Sequence, residues 1–294
     1  MAEKEELIIK NIFINLIERK LIVKNYIDAH VHSKISHDGV SCMNEYIEQA
    51  KKYGVKEITF TEHYDDYSGV ETDLKTLDVD NYKRVYLENK NDYVLKTNFG
   101  VEIGLRPESY ELISNMVRNN SFDFIIGSSH ITCGKDMAYD KSFFENYTPH
   151  EAVMNYLNEI ITNIKMYTNE FDVYGHLDYV IRYVIKYYGN VMNSMKYDEF
   201  KDVLDEILQT LIENNKGIEI NTSGIRYGLN STHPNIDIIR RYKQLGGEII
   251  TIGSDAHKIE DLASGFDIAI DVLKQAGFDE IVVYHKRKPD FIKI

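Results

Sequence analysis

Short runs of apolar residues alternate along the chain with longer segments in which apolar residues recur every three or four positions. The short runs are rich in β-branched residues and predict strands, whereas the periodic segments predict amphipathic helices. Strands are predicted at residues 26–30, 57–61, 99–103, 123–127, 172–175, 217–220, 248–252 and 280–284. Helices are predicted at residues 43–52, 79–95, 107–118, 149–168, 197–214, 234–244 and 259–275.

Proline and glycine mark the ends of several predicted helices. Pro107, Pro149 and Pro234 stand at helix starts, where the missing N–H has no helical partner to lose, and Gly54 follows a helix end. Alternation of strands and helices over this length favours a parallel sheet covered by helices, either open or closed into a barrel.

The chain of 294 residues shows no linker, low-complexity block or change of composition after residue 25. We therefore predict a single domain at residues 25–294. Before it, residues 3–24 carry apolar side chains at helical spacing and predict an amphipathic helix that packs on the outside of the domain. This N-terminal helical extension occupies residues 1–24, and the sequence leaves its role open.

Composition and charge narrow the class of protein. A hydrophobic content of 43% and a charged content of 28% are typical of a globular protein with a sizeable core. The net charge of -13 argues against a nucleic-acid partner, because a polyanion binds to a basic face. No apolar run approaches the ~20 residues that cross a bilayer, so no membrane partner is expected either.

The two cysteines, Cys42 and Cys133, lie far apart and in no spacing typical of metal ligands. They exclude a disulfide framework, and we expect both to be buried as small apolar residues. A reducing cytosol is the simplest setting for such a chain, whose N-terminus also lacks the basic-then-apolar layout of a secretory signal. The sequence therefore predicts a cytoplasmic protein.

Candidate chemistry begins with His30 and His32, which follow the first predicted strand. Residues two apart on an extended backbone point to the same face, so the two imidazoles converge. Neutral imidazole nitrogens bind zinc, iron or manganese well, and the pair forms half of a metal site. On its own, such a pair is equally compatible with two hydrogen-bonded histidines at a strand end.

The same arrangement recurs at the ends of later predicted strands. Histidines and acids stand there at His30, His32, His63, Glu102, His130, His176, Asp178, Asp255 and His257. Six of the ten histidines of the chain fall at these ends, and His37 lies close to the first. In a (β/α) barrel the carboxyl ends of all strands open onto one mouth, where such folds place their chemistry. The other three, His150, His233 and His285, are predicted at helix starts or on the surface.

Each strand end also has a structural interpretation. Glu102 fits a salt bridge inside a barrel, His63 fits a solvated loop, and Asp178 fits a residue that orients His176 or caps a helix. These structural interpretations are less convincing when all the strand ends are considered together. A buried barrel mouth with so many carboxylates and imidazoles needs cations to neutralise it. Six imidazoles with Glu102, Asp255 and Asp38 exceed the ligands of one ion, so two or three ions are expected.

Six motifs in this order resemble the polymerase-and-histidinol-phosphatase (PHP) superfamily. They are Asp28-x-His-x-His-x-x-x-Ser-x-Asp-Gly39, Thr61-Glu-His63, Gly100-x-Glu102, Gly127-Ser-x-His130, Gly175-His-x-Asp178 and Gly253-Ser-Asp-Ala-His257. Within the superfamily, residues 171–183, 217–228 and 246–258 resemble the histidinol-phosphatase branch. The resemblance covers almost the whole chain after residue 26.

The resemblance implies a distorted (β/α)7 TIM-like barrel with its metal site at the carboxyl ends of the strands. It further implies hydrolysis of L-histidinol phosphate to L-histidinol and phosphate in histidine biosynthesis, with two or three divalent ions of zinc, iron or manganese. The implied ligands are His30, His32, Glu102 and Asp255 for one ion, Glu102, His130 and His176 for a second, and Asp38, His63 and His257 for a third. His37 is available beside Asp38, and the register favours Asp38.

Hydrolysis of a phosphate monoester needs concentrated positive charge, which clustered metal ions supply while lowering the pKa of a bound water. We expect in-line attack by a hydroxide that bridges two ions, with Glu102 and Asp255 at the centre of the chemistry. Arg182 is the predicted phosphate contact, because a guanidinium can hold two phosphate oxygens. Tyr183, as the family pattern suggests, adds a hydroxyl donor, and Arg226 is a second candidate for substrate binding.

Three other functions compete with this prediction. A PHP-type phosphoesterase could act on another small phosphate ester, a nucleotide or a nucleic acid. An amidohydrolase-type enzyme also begins with a His-x-His pair, but it usually carries a bridging lysine where this chain has Glu102. A catalytically silent metal sensor is disfavoured by the complete ligand set. The sequence does not predict an oligomeric state.

Overall fold

The computed structural model describes residues 26–90, 95–189 and 195–294. The helix predicted at residues 3–24 lies outside these ranges. The domain division at residue 25 therefore stays a prediction.

Parallel strands form the centre of the fold. The strands are β1 Tyr26–Val31, β2 Val55–Tyr64, β3 Lys96–Gly104, β4 Phe124–Ser128, β5 Ile131–Thr132, β6 Lys135–Asp136, β7 Val173–Tyr174, β8 Gly217–Asn221, β9 Ile250–Gly253, β10 Glu280–His285 and β11 Lys288–Lys293. Seven of them pair in the order β1-β2-β3-β4-β7-β8-β9, and every pairing is parallel. The predicted seven parallel strands are confirmed, with strand ends that differ from the prediction by at most three residues.

The sheet closes on itself through the segment that follows β9. Val31 bridges Ala256 in parallel, and the His32 amide donates to the Ala256 carbonyl at 2.8 Å. The Asp255 amide donates to the His30 carbonyl at 2.9 Å. These contacts join the carboxyl end of the last parallel strand to that of the first. The fold is therefore the expected distorted (β/α)7 barrel.

Helices cover the outside of this barrel. They are α1 Met43–Tyr53, α2 Val79–Asn89, α3 Tyr110–Asn119, α4 Ser142–Glu145, α5 Pro149–Met166, α6 Val180–Tyr188, α7 Lys201–Glu213, α8 Ser223–Arg226, α9 Ile236–Gln244 and α10 Phe266–Ala276. The helices predicted at 107–118, 197–214 and 259–275 each begin with a short 3-10 turn, and the helix predicted at 79–95 ends at Asn89. Helices α4, α6 and α8 were not predicted.

Local sequence explains how the longest of these helices begins. The Thr148 hydroxyl accepts from the Glu151 amide at 3.3 Å, and the Glu151 carboxylate accepts from the Thr148 amide at 2.8 Å. This capping box satisfies two amides that have no helical partner, and Pro149 fills the first helical position as expected. One face of α5 then buries Tyr156, Ile160 and other apolar residues against the barrel.

The strand predicted at 280–284 exists but does not belong to the barrel. As β10 it pairs antiparallel with β11. Val282 and Tyr284 of this hairpin share an apolar cluster with Phe124 and Ile126 of β4. The Arg287 amide donates to the carbonyl of Asp123, just before β4, at 2.8 Å. The hairpin therefore packs near the amino end of that strand, away from the carboxyl ends that matter for function.

Both cysteines differ from the expectation of burial. Cys42 immediately precedes α1, and Cys133 lies in the turn between β5 and β6 with a φ of 51°. Both side chains are exposed because a helix start and a hairpin turn lie at the surface. Among the described residues, no helix is long and apolar enough to cross a membrane.

Candidate metal centre

The carboxyl ends of the barrel strands bring all nine predicted metal ligands into one connected cluster. Neighbouring members of the cluster are joined by contacts of 2.9–3.6 Å between ring nitrogens and carboxylate oxygens. The ligands are His30, His32, Asp38, His63, Glu102, His130, His176, Asp255 and His257. Register contributes directly, since β2 and β3 pair His63 with Glu102.

Glu102 lies at the centre of the cluster and is completely buried. Its Oε1 is 2.9 Å from Nε2 of His176 and 3.3 Å from Nε2 of His130. Its Oε2 is 2.9 Å from Nδ1 of His63 and 3.3 Å from Nε2 of His30. Each oxygen therefore faces a different set of imidazoles, which is the geometry of a carboxylate that can bridge two ions.

Asp38 and His257 occupy the more open side of the cluster. Nε2 of His257 lies 3.1 Å from Oδ2 of Asp38 and 3.4 Å from Nε2 of His63. His37 is close by, with its ring centroid 5.5 Å from that of His63, whereas the carboxylate of Asp38 lies within 3.6 Å of Nε2 of both His63 and His257. The geometry thus favours Asp38 over His37 as the contact at this position.

The residues of the cluster fit a bound cation. Oε2 of Glu102 and Nδ1 of His63 are buried and have no hydrogen-bond partner among the described residues, although they are 2.9 Å apart. The Nε2 atoms of His30 and His32 also face each other at 2.9 Å. Buried lone pairs directed at one another without donors need a positive charge between them. The cluster is therefore a divalent-metal site.

Protein acceptors hold the second ring nitrogen of several ligands, and the sequence did not predict them. Nδ1 of His30 donates to Glu219 at 2.7 Å, and Nδ1 of His130 donates to Asp65 at 3.0 Å. Glu219 also accepts from the backbone amide of His176 at 3.0 Å. Such contacts set the tautomer and leave Nε2 free for a metal ion. The signal available in the sequence was an acid, Glu219, between two apolar residues of a predicted strand, Ile218 and Ile220.

Asp178 has a different partner from the one predicted. Its carboxylate forms a short hydrogen bond with Nδ1 of His233 and accepts from the Asn235 amide at 3.3 Å, and it does not contact the imidazole of His176. His233 lies just before the start of α9, as one predicted alternative had it, but it is completely buried and not on the surface. The two residues are 55 positions apart in the sequence, so only the fold reveals the pair.

Asp28, the first residue of the first motif, also has a structural role. Its carboxylate accepts from the amides of Ser254 and Ala263, both at 2.9 Å, and so anchors the loop that carries Asp255. Burial raises the pKa of Asp28 to about 6. The same loop places Asp255 at a φ of 55°, in the left-handed region that few non-glycine residues adopt.

Electrostatics prepare the cluster for cations. Burial alone would raise the pKa of Glu102, but the surrounding imidazoles, His30 foremost, hold it well below its usual range. The same balance of burial against His30 lowers the pKa of Asp255. Burial together with neighbouring imidazoles lowers the pKa of His32 well below its usual value. At His30, His63 and His130 burial is outweighed by neighbouring carboxylates, which raise the pKa of these imidazoles. Because divalent ions bind ionised carboxylates and neutral imidazoles, metal binding at these histidines would release protons.

A cavity of about 340 Å³ opens above the cluster. Arg182 and Tyr183 of α6 both line it, and the Arg182 guanidinium lies 3.1 Å from the centroid of the Tyr227 ring. The Tyr183 hydroxyl is hydrogen-bonded to that of Tyr179 at 2.7 Å. These two predicted substrate contacts therefore stand where a ligand above the cluster would meet them.

Arg226 stands elsewhere. Its guanidinium donates to the Ser254 carbonyl at 2.8 Å and to the Asp255 carbonyl at 2.9 Å, and it is absent from the residues that line the cavity. With two of its donors bound to the backbone, Arg226 supports the loop of Asp255. This geometry offers no basis for the predicted substrate contact.

A parallel barrel with clustered imidazoles and carboxylates at its mouth defines a metal-dependent enzyme of the TIM-like class. The PHP domain pattern matches residues 28–223. The chain therefore belongs to the PHP domain family.

Two similar proteins are histidinol-phosphatases. The chain is 30% identical to the histidinol-phosphatase of Lactococcus lactis over 90% of its own length and 96% of that protein's. It is 29% identical to a probable histidinol-phosphatase of Clostridium acetobutylicum, over 88% and 97% of the two chains. The crystal structure of histidinol phosphate phosphatase from Lactococcus lactis, in complex with zinc, L-histidinol and phosphate, superposes with a TM-score of 0.79. That structure is 29% identical and covers 90% of this chain and 99% of its own.

Proposed function

We propose that this protein is a metal-dependent phosphatase that hydrolyses L-histidinol phosphate to L-histidinol and phosphate in histidine biosynthesis. The observation that carries the proposal is the cluster around Glu102, in a barrel that aligns over 90% of its length with a phosphatase holding zinc, L-histidinol and phosphate. The cavity of about 340 Å³ above the cluster falls within the ~300–1,000 Å³ typical of small-molecule sites.

We assign the ligands to two or three divalent ions. One ion takes His30, His32, Glu102 and Asp255, a second takes Glu102, His130 and His176, and a third takes Asp38, His63 and His257. Of three groups of possible ligand atoms that lie within 4.8 Å of one another, one consists of His30, His32 and Asp255, which are assigned to the first ion. The other two groups combine ligands of neighbouring ions, and His63 belongs to both. His63 lies between two of the proposed sites, since its Nδ1 faces Glu102 and its Nε2 faces Asp38. Zinc, iron and manganese all suit this mixture of nitrogen and oxygen ligands.

When bound, the ions supply positive charge for the phosphate oxygens and lower the pKa of a bound water. The remaining work falls to side chains of this chain. Arg182 binds phosphate oxygens from above the cluster, and its position over the Tyr227 ring limits the directions in which the guanidinium can turn. Tyr183 places a second hydroxyl donor beside it. Glu219 and Asp65 keep two ligand imidazoles oriented.

The proposed substrate is a small phosphate monoester, and the cavity of about 340 Å³ above the cluster is the site that would hold it. The acidic net charge of -13 disfavours a nucleic-acid track. The predicted cytoplasmic location stays a prediction.

One experiment tests the assignment. Phosphate release from L-histidinol phosphate is measured beside release from nucleoside monophosphates, with bound metal determined on the same sample. We expect a strong preference for L-histidinol phosphate and at least two divalent ions per chain. Comparable turnover of all esters, or preference for a nucleotide, would leave a PHP-type phosphoesterase of another substrate.

A further inference from the structure

The cavity above the metal centre contains one acid that plays no part in the metal cluster. Four aspartates of the described residues line this cavity. Asp38 and Asp255 contact histidines of the cluster, and Asp65 holds His130. Asp136 lies within ion-pair distance of no histidine among the described residues. Its carboxylate is therefore available for a different task.

Asp136 ends the short β5–β6 hairpin, which projects from the end of β4 next to His130. Its Oδ1 accepts from the Ala138 amide at 2.9 Å, and the side chain is only 6% exposed. Within the described part of the chain no lysine or arginine pairs with it, because the adjacent Lys135 pairs with Asp140 at 2.9 Å. Burial raises the pKa of Asp136. An unpaired carboxylate on a cavity wall is costly unless a ligand supplies the cation.

Aromatic rings surround the same space. Tyr67, Tyr139, Tyr179 and Tyr183 line the cavity together with Asp136. Tyrosine faces attract organic cations, and the attraction grows when water is excluded. A carboxylate among several such rings is a suitable site for an alkylammonium group.

The cationic side chains of the cavity and Asp136 come from different secondary-structure elements. The cationic side chains, Arg182 and Lys186, both come from α6, whereas Asp136 comes from the hairpin. A ligand with a phosphate at one end and a cation at the other can satisfy both walls. An imidazole is largely neutral at pH 7, whereas a primary amine is largely protonated. The ammonium is therefore the charged group that such a ligand presents to Asp136.

We propose that Asp136 binds the ammonium group of the substrate's amino-alcohol portion and so selects aminoalkyl phosphate esters. The inference rests on the proposed function and adds a residue that determines specificity. Charge-assisted hydrogen bonds of this kind contribute roughly ten- to a hundredfold in binding.

The test compares two esters that differ only in the amine: L-histidinol phosphate and imidazolylpropyl phosphate. The variants Asp136→Asn and Asp136→Ser remove the charge, and both replacement side chains can still accept from the Ala138 amide. Asp140→Asn is the matched control on the same segment, because Asp140 does not line the cavity. Asp140 accepts from the Ser142 amide and pairs with Lys135, both at 2.9 Å, and the oxygen of an asparagine can still accept from these donors. Bound metal and thermal unfolding are measured for every variant.

We expect both Asp136 variants to lose about ten- to a hundredfold more kcat/KM on L-histidinol phosphate than on the amine-free ester, and Asp140→Asn to show no such difference. If the wild-type enzyme prefers the ester with the amine but the Asp136 variants lose kcat/KM equally on both esters, Asp136 does not bind the ammonium. That result would leave the proposed function unaffected. A wild-type enzyme that does not distinguish the two esters would overturn the ammonium site. Failure of the wild type to hydrolyse L-histidinol phosphate would overturn the proposed function itself.

Discussion

Each imidazole of the metal centre has two ring nitrogens, and the protein occupies one of them in four of the ligands. Glu219 accepts from His30, Asp65 from His130, and the Asp255 carbonyl from His257. Nδ1 of His32 lies 3.2 Å from the Ser36 hydroxyl, which itself donates to Glu62 and so is free to accept. These contacts fix the orientation of the four rings, so that Nε2 of each is positioned to bind a metal ion.

Glu219→Gln is expected to weaken metal binding. One Glu219 oxygen accepts from His30 at 2.7 Å, and the other accepts from the His176 amide and the Asn221 side chain, both at 3.0 Å. An amide in this place must turn its NH2 toward one of these donors. Loss of such a supporting acceptor typically costs about 10–100-fold in metal affinity. Bound metal is measured by elemental analysis after dialysis against a weak chelator.

Glu57→Gln is the matched control for this change. Glu57 is also buried, on β2, but it contacts Asn98 and His285 away from the metal cluster. It should retain its metal. Metal loss in both variants would mean that any buried charge change loosens the barrel, and Glu219 would then have no special role.

Arg182→Ala is expected to lower kcat/KM for L-histidinol phosphate by about 10–100-fold, because charge-assisted hydrogen bonds to phosphate are lost. Bound metal should be unchanged, since the guanidinium packs on Tyr227 and contacts no proposed ligand. Arg240→Ala removes the same charge from the exposed face of α9, where Arg240 pairs with Asp237 at 3.4 Å and with no other acid of the described residues. Steady-state kinetics should show no effect there. Metal loss in Arg182→Ala would indicate a structural role instead.

At the scale of elements, glycines leave room for the acids behind the ligands. A Cβ added to Gly104 at the end of β3 would overlap the carboxylate of Asp65. A Cβ added to Gly253 at the end of β9 would overlap Glu219 and approach His30 to 2.5 Å. Gly253, a position of the Gly-Ser-Asp-Ala-His motif, is thus required by the close approach of neighbouring strands.

Gly253→Ala should therefore reduce both metal content and activity, and it should destabilise the fold by about 1–3 kcal/mol through overpacking. Denaturant unfolding and elemental analysis measure the two effects separately. Gly246→Ala is the comparison, because its φ of 96° is strained for alanine but nothing lies within 4 Å of the added Cβ. That variant should lose stability while keeping its metal. A fully metallated Gly253→Ala would contradict the close-packing explanation.

The elements themselves were predictable to different degrees. The barrel strands carry β-branched runs bounded by turn residues, so their positions followed from local pattern. Helix α6 did not, because Val180, Ile181, Tyr183 and Val184 are residues with high β-propensity that become helical only when one face packs on the barrel. The strand at 280–284 was recognised as a strand, but its antiparallel partner β11 follows it and removes it from the barrel.

At the scale of the whole molecule, burial concentrates charge that the protein cannot neutralise alone. The mouth of the barrel holds Glu102 and Asp255 with a ring of imidazoles, and the chain carries a net charge of -13. Ligands that bind only the folded state stabilise it by mass action. We therefore expect bound metal ions to stabilise the folded state as well as to complete the site.

Removal of metal with a chelator is expected to lower the thermal midpoint by about 5 °C or more, and return of zinc or manganese should restore it. Differential scanning calorimetry at fixed protein concentration measures both states. The Glu219→Gln variant supplies the internal comparison, since weaker metal binding should leave it a smaller shift. An unchanged midpoint after verified metal loss would show that the cluster is stable without cations.

The sequence alone specified the seven strands of the barrel, their alternation with helices and the identity of the nine clustered side chains. This was possible because strand ends are local features and a barrel brings every carboxyl end to one mouth. Which carboxylate supports which imidazole required the tertiary structure. His30 and Glu219 are 189 positions apart, and Asp178 meets His233 across 55. Such pairs depend on strand order, closure and register, and the local pattern of a sequence carries none of these.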